Sequence, residues 1–185
     1  MILIVDMNFR RESMGYYEFV LPILYAVGDL DSVFVKHYSD ITAEDFEKST
    51  SVVLSGTPLK DNATLNEPEK FNWLGDCDIP ALGICAGMQT IALAFGVGLE
   101  KCVGIGMTKI RTVSPNPLFS STFGAYALHN YSLAAPKDFE ILAESERCVE
   151  AVKLRKKNVF GVLFHPEVRN PEIIQRFVRK FGSTE

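Results

Sequence analysis

The chain has 185 residues, 47% of them hydrophobic and 23% charged, enough apolar material for a sizeable core and too much for a disordered segment. Nineteen Lys+Arg against 23 Asp+Glu leave a formal net charge of −4. That balance argues against nucleic acid or an anionic membrane as the main partner. The longest apolar runs, residues 20–27 and 91–97, fall far short of a bilayer span, and Met1-Ile2-Leu3-Ile4-Val5-Asp6 lacks the basic leader of a signal peptide. A cytoplasmic protein is expected.

In chain order, residues 2–5 form a continuous apolar run, as a strand buried on both faces requires. A helix is expected over 15–27, with Pro22 kinking it, then a strand over 33–38. A short helix over 42–48 follows, with Thr42 and Asp45 spaced as a capping pair. Residues 51–54 form a third strand, 67–74 a helix, 79–84 a fourth strand, and 87–95 a helix closed by Gly96. This alternation predicts an α/β fold with a central, mostly parallel sheet flanked by helices. The second half changes character: residues 103–113, 125–133, 139–143, 149–154 and 159–164 read as strands joined by short turns, hence partly antiparallel. A final amphipathic helix, 171–181, aligns Ile173, Ile174, Phe177, Val178 and Phe181 on one face. No linker or repeat divides the chain, so residues 1–185 are read as one domain.

The four cysteines, Cys77, Cys85, Cys102 and Cys148, lie 8, 17 and 46 residues apart. Without a C-x-x-C pair, neither a zinc ribbon nor a redox motif is indicated, and no metal or cofactor is expected. Cys85 alone has a telling context, Gly83-Ile84-Cys85-Ala86-Gly87-Met88-Gln89, between a strand and a helix. Gly-x-Cys-x-Gly is the layout of a nucleophile elbow: so sharp a turn needs neighbours without side chains two residues away on either side. The following helix turns its positive end toward the sulfur, and the free Ala86 amide can stabilise an oxyanion.

A base is needed next, and the chain offers His37, His129 and His165. His165 lies in Phe164-His165-Pro166-Glu167, directly after an apolar strand. Pro166 biases it toward extended backbone, in which Glu167 would point the same way and orient the ring. His37, on a predicted strand, is read as structural. The strand ending in Ser55-Gly56-Thr57-Pro58 makes a loop with exposed amides, suited to the other half of an oxyanion hole.

Together, Ser55-Gly56-Thr57-Pro58, Gly83-Ile84-Cys85-Ala86-Gly87-Met88-Gln89 and Phe164-His165-Pro166-Glu167 resemble the class I (triad) glutamine amidotransferases, whose loop, elbow and His-Pro-Glu segments occur in this order. The resemblance spans nearly the whole chain and implies a flavodoxin-like fold. It further implies that Cys85 attacks the side-chain amide of L-glutamine, that His165 moves the protons and that Glu167 holds the imidazole. Gly56, Thr57 and Ala86 would line the oxyanion hole, with Gln89, His129 and Asn130 among the substrate contacts. Within the family, residues 139–152 look similar to glutaminase subunits of archaeal-type GMP synthases, which feed ammonia to a separate ATP-pyrophosphatase subunit. Three segments depart from the family pattern: Asp6-Met7-Asn8-Phe9, Thr57 in place of a glycine, and Leu128-His129-Asn130-Tyr131, where Tyr131 stands in place of an acid. Two other readings are weighed: a γ-glutamyl hydrolase releasing its product to water, and a catalytically quiet paralogue that regulates a synthetase. Thr57 also predicts a peptide that resists the positive-φ conformer and so keeps basal activity low.

Overall fold

In chain order the strands are Ile2–Asp6 (β1), Val33–His37 (β2), Ser51–Leu54 (β3), Ala81–Ile84 (β4), Leu99–Thr112 (β5), Phe123–Leu133 (β6), Phe139–Glu144 (β7), Val149–Leu154 (β8) and Val159–Val162 (β9). The helices are Leu21–Val27 (α1), Ala43–Glu47 (α2), Trp73–Asp76 (α3), Ala86–Ala94 (α4), Pro166–Arg169 (α5) and Pro171–Phe181 (α6). This is a computed structural model, and it describes residues 1–182.

The strands form one sheet in the order β2-β1-β3-β4-β9-β8-β7-β5-β6. Pairing is parallel from β2 to β9 and antiparallel from β9 through β8, β7 and β5 to β6. The last apolar strand therefore belongs to both halves. It inserts in parallel beside β4 and offers its other edge to β8.

Every residue of β1, β3, β4 and β9 is buried, which follows from cover on both faces. Alternation along β1 sends Ile2 and Ile4 to a core with Ile23, Val27, Ile174 and Phe177, and Leu3 and Val5 to another with Phe71, Leu74, Met88 and Ile91. The predicted stripe of α6 accounts for the first core's outer wall. Ile173, Ile174, Phe177 and Val178 are each at most 2% exposed, and each such burial contributes about 1.5–3 kcal/mol.

The predicted capping pair closes α2, with both the Thr42 amide and hydroxyl donating to the Asp45 carboxylate. Residues 14–27 are helical throughout, as expected, and the perturbation at Pro22 takes the form of a wider π-type register over Tyr16–Val20 just before it, where the proline has no N–H to give the preceding turn. Two expectations need correction. Residues 67–74 break into a 3-10 turn, Pro68–Phe71, and the single turn of α3. The strand expected to run to 164 stops at Val162, because the chain then turns into α5 with Pro166 at its start.

Candidate active site

The sheet order brings the predicted segments together. β3, β4 and β9 are neighbours running the same way, so their carboxyl ends deliver Ser55-Gly56-Thr57, Cys85 and His165 to one rim. Crevices at the carboxyl ends of such strands are where α/β sheets bind ligands.

Cys85 sits on a turn with φ 49° and ψ −103°, backbone that a side-chain-bearing residue adopts only when its surroundings impose it. The glycines on either side impose it. A Cβ on Gly83 would lie 2.5 Å from the Gly87 carbonyl carbon, and one on Gly87 would lie 2.6 Å from the Leu54 oxygen. The elbow is therefore steric, as the spacing predicts. Its amide donates to the Val162 oxygen (2.8 Å), which stitches the turn to β9. The thiol donates to the Leu128 carbonyl of β6 at 3.4 Å.

His165 is 1% exposed, and its Nδ1 lies 2.7 Å from Glu167 Oε1. The expected geometry differs in one respect: Glu167 is in the first turn of α5, and His165 is its N-cap, at φ −104° and ψ 88°. The pair thus meets across a helix start and not along extended chain. The His165 amide donates to the Tyr126 oxygen (2.8 Å), holding this start under β6. Burial opposes a charged ring, but the Cys85 sulfur and the Glu167 carboxylate outweigh it and hold the His165 pKa well above its ordinary value. Nε2 has no hydrogen-bond partner, so it is the ring atom free to exchange a proton with a sulfur or a leaving group.

Gly56 has a part that the sequence does not announce. A Cβ there would lie 2.7 Å from His165 Cε1, so the imidazole rests directly on this glycine. Phe19 closes the other side, its ring centroid 5.4 Å from that of His165. No short-range signal marks Phe19, because it comes from the π-type turn before α1. Thr57 keeps out of the positive-φ region and donates its hydroxyl to the Asp61 oxygen at 3.0 Å. Its amide meets no acceptor among the described residues. Ala86 opens α4 beside the sulfur and lines the same cleft.

The other expected substrate contacts are engaged elsewhere. Gln89 Nε2 donates to the Tyr131 oxygen at 2.8 Å, and Asn130 Nδ2 donates to the Leu59 oxygen at 3.1 Å. These two bonds draw β6 and the 57–62 loop across Cys85, leaving a cleft of about 20 Å³ lined by Thr57, Cys85, Ala86, Gln89 and Asn130. That is about the space of one water and far less than an amino acid needs. His129 borders the cleft, but its Nδ1 bonds the Cys102 oxygen (2.8 Å) and its ring packs on Gly104 of β5. His37 is structural, as expected, bridging the Asn8 carbonyl and the Ser39 hydroxyl.

Comparison with known proteins bears on this arrangement. The family model for class-I glutamine amidotransferases matches residues 16–182. The chain belongs to that family. This amidotransferase is 35% identical over 155 residues to a subunit of the glutamine-hydrolysing GMP synthase of Methanocaldococcus jannaschii, covering 72% of this chain and 82% of the relative. It is 37% identical over 142 residues to the corresponding subunit of Methanococcus maripaludis, covering 71% and 73%. Among solved structures, a Thermoplasma acidophilum protein provisionally assigned as a GMP synthase subunit superposes with a TM-score of 0.80 at 23% identity, over 97% of this chain and 93% of the other. A Thermotoga maritima glutamine amidotransferase gives 0.70 at 19% identity, over 98% and 82%. At those identities the structural likeness speaks for the amidotransferase fold alone. Among the described residues no helix is long and apolar enough to cross a membrane.

Proposed function

We propose that the chain is the glutaminase subunit of a GMP synthase, hydrolysing L-glutamine to glutamate and ammonia and passing the ammonia to a separate synthetase subunit of the ATP-pyrophosphatase type. The observation that carries this reading is the elbow cysteine, whose sulfur interacts with the imidazole of a buried His165–Glu167 pair. In the reaction, the Cys85 thiolate adds to the glutamine carboxamide carbon, and the oxyanion is met by the amides of Thr57 and Ala86. The protonated His165 gives its Nε2 proton to the departing nitrogen, which leaves as ammonia with formation of a γ-glutamyl thioester. The neutral ring then takes a proton from water, whose oxygen attacks the thioester carbon, and returns that proton to sulfur. Glu167 holds the ring throughout.

In this reading residues 1–185 act as one catalytic unit, working in the cytoplasm, where thiols stay reduced. In support, one sheet runs through both halves and all four cysteines are free. The narrow cleft further supports a subunit whose site opens only when its partner docks. The test is a glutaminase assay on the purified chain, alone and with an ATP-pyrophosphatase subunit, XMP and ATP. Ammonia release that rises on adding the partner, together with GMP formation, supports the reading. Fast hydrolysis indifferent to the partner indicates a γ-glutamyl hydrolase instead, and no turnover under any condition indicates the quiet paralogue.

A further inference from the structure

A second cluster of reactive side chains lines a separate cavity that shares only His129 with the Cys85 cleft. Register pairs His129 with Gly104, and a bulge between Lys101 and Gly104 leaves Cys102 out of the ladder beside them. Cys148 comes from the turn between β7 and β8, closed by the Ser145 amide on the Cys148 oxygen (3.0 Å). The donor atoms of Cys102, His129 and Cys148 all lie within 4.8 Å of one another. Glu150, one step along β8, puts Oε1 3.8 Å from Cys148 Sγ. None of the four takes part in the bond-making steps set out above, although His129 also borders the Cys85 cleft.

We propose that Cys102, His129 and Cys148, with Glu150 as fourth ligand, form a zinc-type divalent metal site that ties β5 and β6 to the β7–β8 turn.

Four observations carry it. The first is the orientation of His129: a carbonyl only accepts, so the bond to the Cys102 oxygen fixes the proton on Nδ1 and leaves the lone pair on Nε2. This is the outer-shell contact that a metal-binding histidine requires. The second is that His129 Nε2 and Glu150 Oε2 are buried without any hydrogen-bond partner, in residues only 2% and 1% exposed. Two such orphans in one cluster are costly unless something binds them. Third, a Cβ at position 104 would lie 2.4 Å from His129 Nε2, so only glycine leaves that lone pair accessible. Fourth, the groups line a cavity of about 280 Å³, also bordered by Lys109 and Arg147, whose charges would offset an excess of anionic ligands.

The donor set selects the ion. Two thiolates and an imidazole favour zinc over magnesium or calcium, which take oxygen ligands. Bonds of about 2.3 Å to sulfur and 2.0–2.1 Å to nitrogen separate tetrahedral ligand atoms by roughly 3.5–3.8 Å. For Cys102, His129 and Cys148, side-chain shifts of about 1 Å would therefore close the three donors on an ion, with Glu150 turning in from beside Cys148.

The test needs no glutamine and reads metal directly. The full chain, reduced and stripped with chelator, is titrated with Co²⁺ and then Zn²⁺. Expected are the thiolate-to-cobalt charge-transfer and tetrahedral d–d bands, saturating at one ion per chain and bleached by Zn²⁺. Cys102→Ser and Cys148→Ser should each abolish the charge-transfer band or cut its intensity by about half, whereas Cys77→Ser and Cys85→Ala leave it intact. Should the serine variants fail to fold, the unaltered chain still decides: Zn²⁺ should slow alkylation of Cys102 and Cys148, located by peptide mass, and leave Cys77 unaffected. Absence of the bands, their survival in the double serine variant, or a Cys102–Cys148 disulfide forming at the same rate with and without Zn²⁺ would overturn the proposal.

Discussion

Replacing Gly56 with alanine isolates the positioning of the base from its chemistry. The new methyl would sit 2.7 Å from His165 Cε1, against an ordinary contact of about 3.4 Å, so the ring has to yield by about 0.7 Å. It cannot do so freely. Nδ1 is held at 2.7 Å by Glu167, and Phe19 Cδ1 already lies 3.3 Å from the same methyl. A displacement near 1 Å at a reacting group costs on the order of a hundredfold, so kcat for glutamine hydrolysis should fall about ten- to a hundredfold. That loss corresponds to about 1.4–2.7 kcal/mol of transition-state stabilisation. Overpacking should also lower folding stability by about 1–3 kcal/mol, which a urea titration would detect without unfolding the chain under assay conditions. Ammonia release measured with the synthetase partner present separates kcat from KM. Gly75→Ala is the control, because nothing lies within 4 Å of its added carbon. A folded Gly56→Ala variant whose kcat stays within twofold of the unaltered chain would refute the assignment of this glycine as the bed of the imidazole.

Other expectations follow from the same geometry. Cys85→Ala should abolish glutaminase activity with the fold intact, and an electrophilic glutamine analogue should label Cys85 ahead of Cys77, Cys102 and Cys148; even labelling of the four thiols would remove the nucleophile assignment. His165→Ala should cost more turnover than Glu167→Gln, since the first removes both proton transfers and the second keeps a neutral partner for Nδ1; equal and negligible losses would argue against the relay. His165 has its folded-state pKa above the unfolded value, so its contribution to stability is complete below about pH 6.5 and lost as pH rises through the folded value. Urea unfolding across that range should show a shallower loss in Cys85→Ala, and identical pH dependence in both proteins would contradict the coupling. Thr57→Gly should raise the basal rate, by about ten- to a hundredfold if the strained conformer costs about 1–3 kcal/mol, and an unchanged basal rate would end that explanation of gating.

Local chemistry is enough for much of this protein. Gly83 and Gly87 around Cys85 announce a turn too tight for side chains, and the clashes that any Cβ would make there are the physical content of that pattern. The Thr42–Asp45 cap, the apolar stripe of α6 and the fully buried strands likewise follow from neighbours a few residues apart. Short-range rules also explain where local pattern and structure part. Pro68 opens a 3-10 turn instead of continuing a longer helix, because a proline's effect depends on where the turn begins.

What the chain's local pattern leaves open is which distant segments share a space. The insertion of β9 beside β4 brings His165 to Cys85 across 80 positions of sequence, and that choice depends on burying an apolar strand on both faces. β6, the edge strand beyond β5, returns to the rim, so that Gln89 meets the Tyr131 carbonyl and Asn130 the Leu59 carbonyl, while the turn before α1 brings Phe19 to the imidazole. Cys102, His129 and Cys148 show no spacing that suggests a cluster; only the bulge in β5 and the turn before β8 bring their donor atoms together. Sequence determined the reactive groups and the turns that present them, because those rest on covalent neighbours and steric limits. Tertiary structure decided their company, because strand order and register are settled by the burial of the whole sheet.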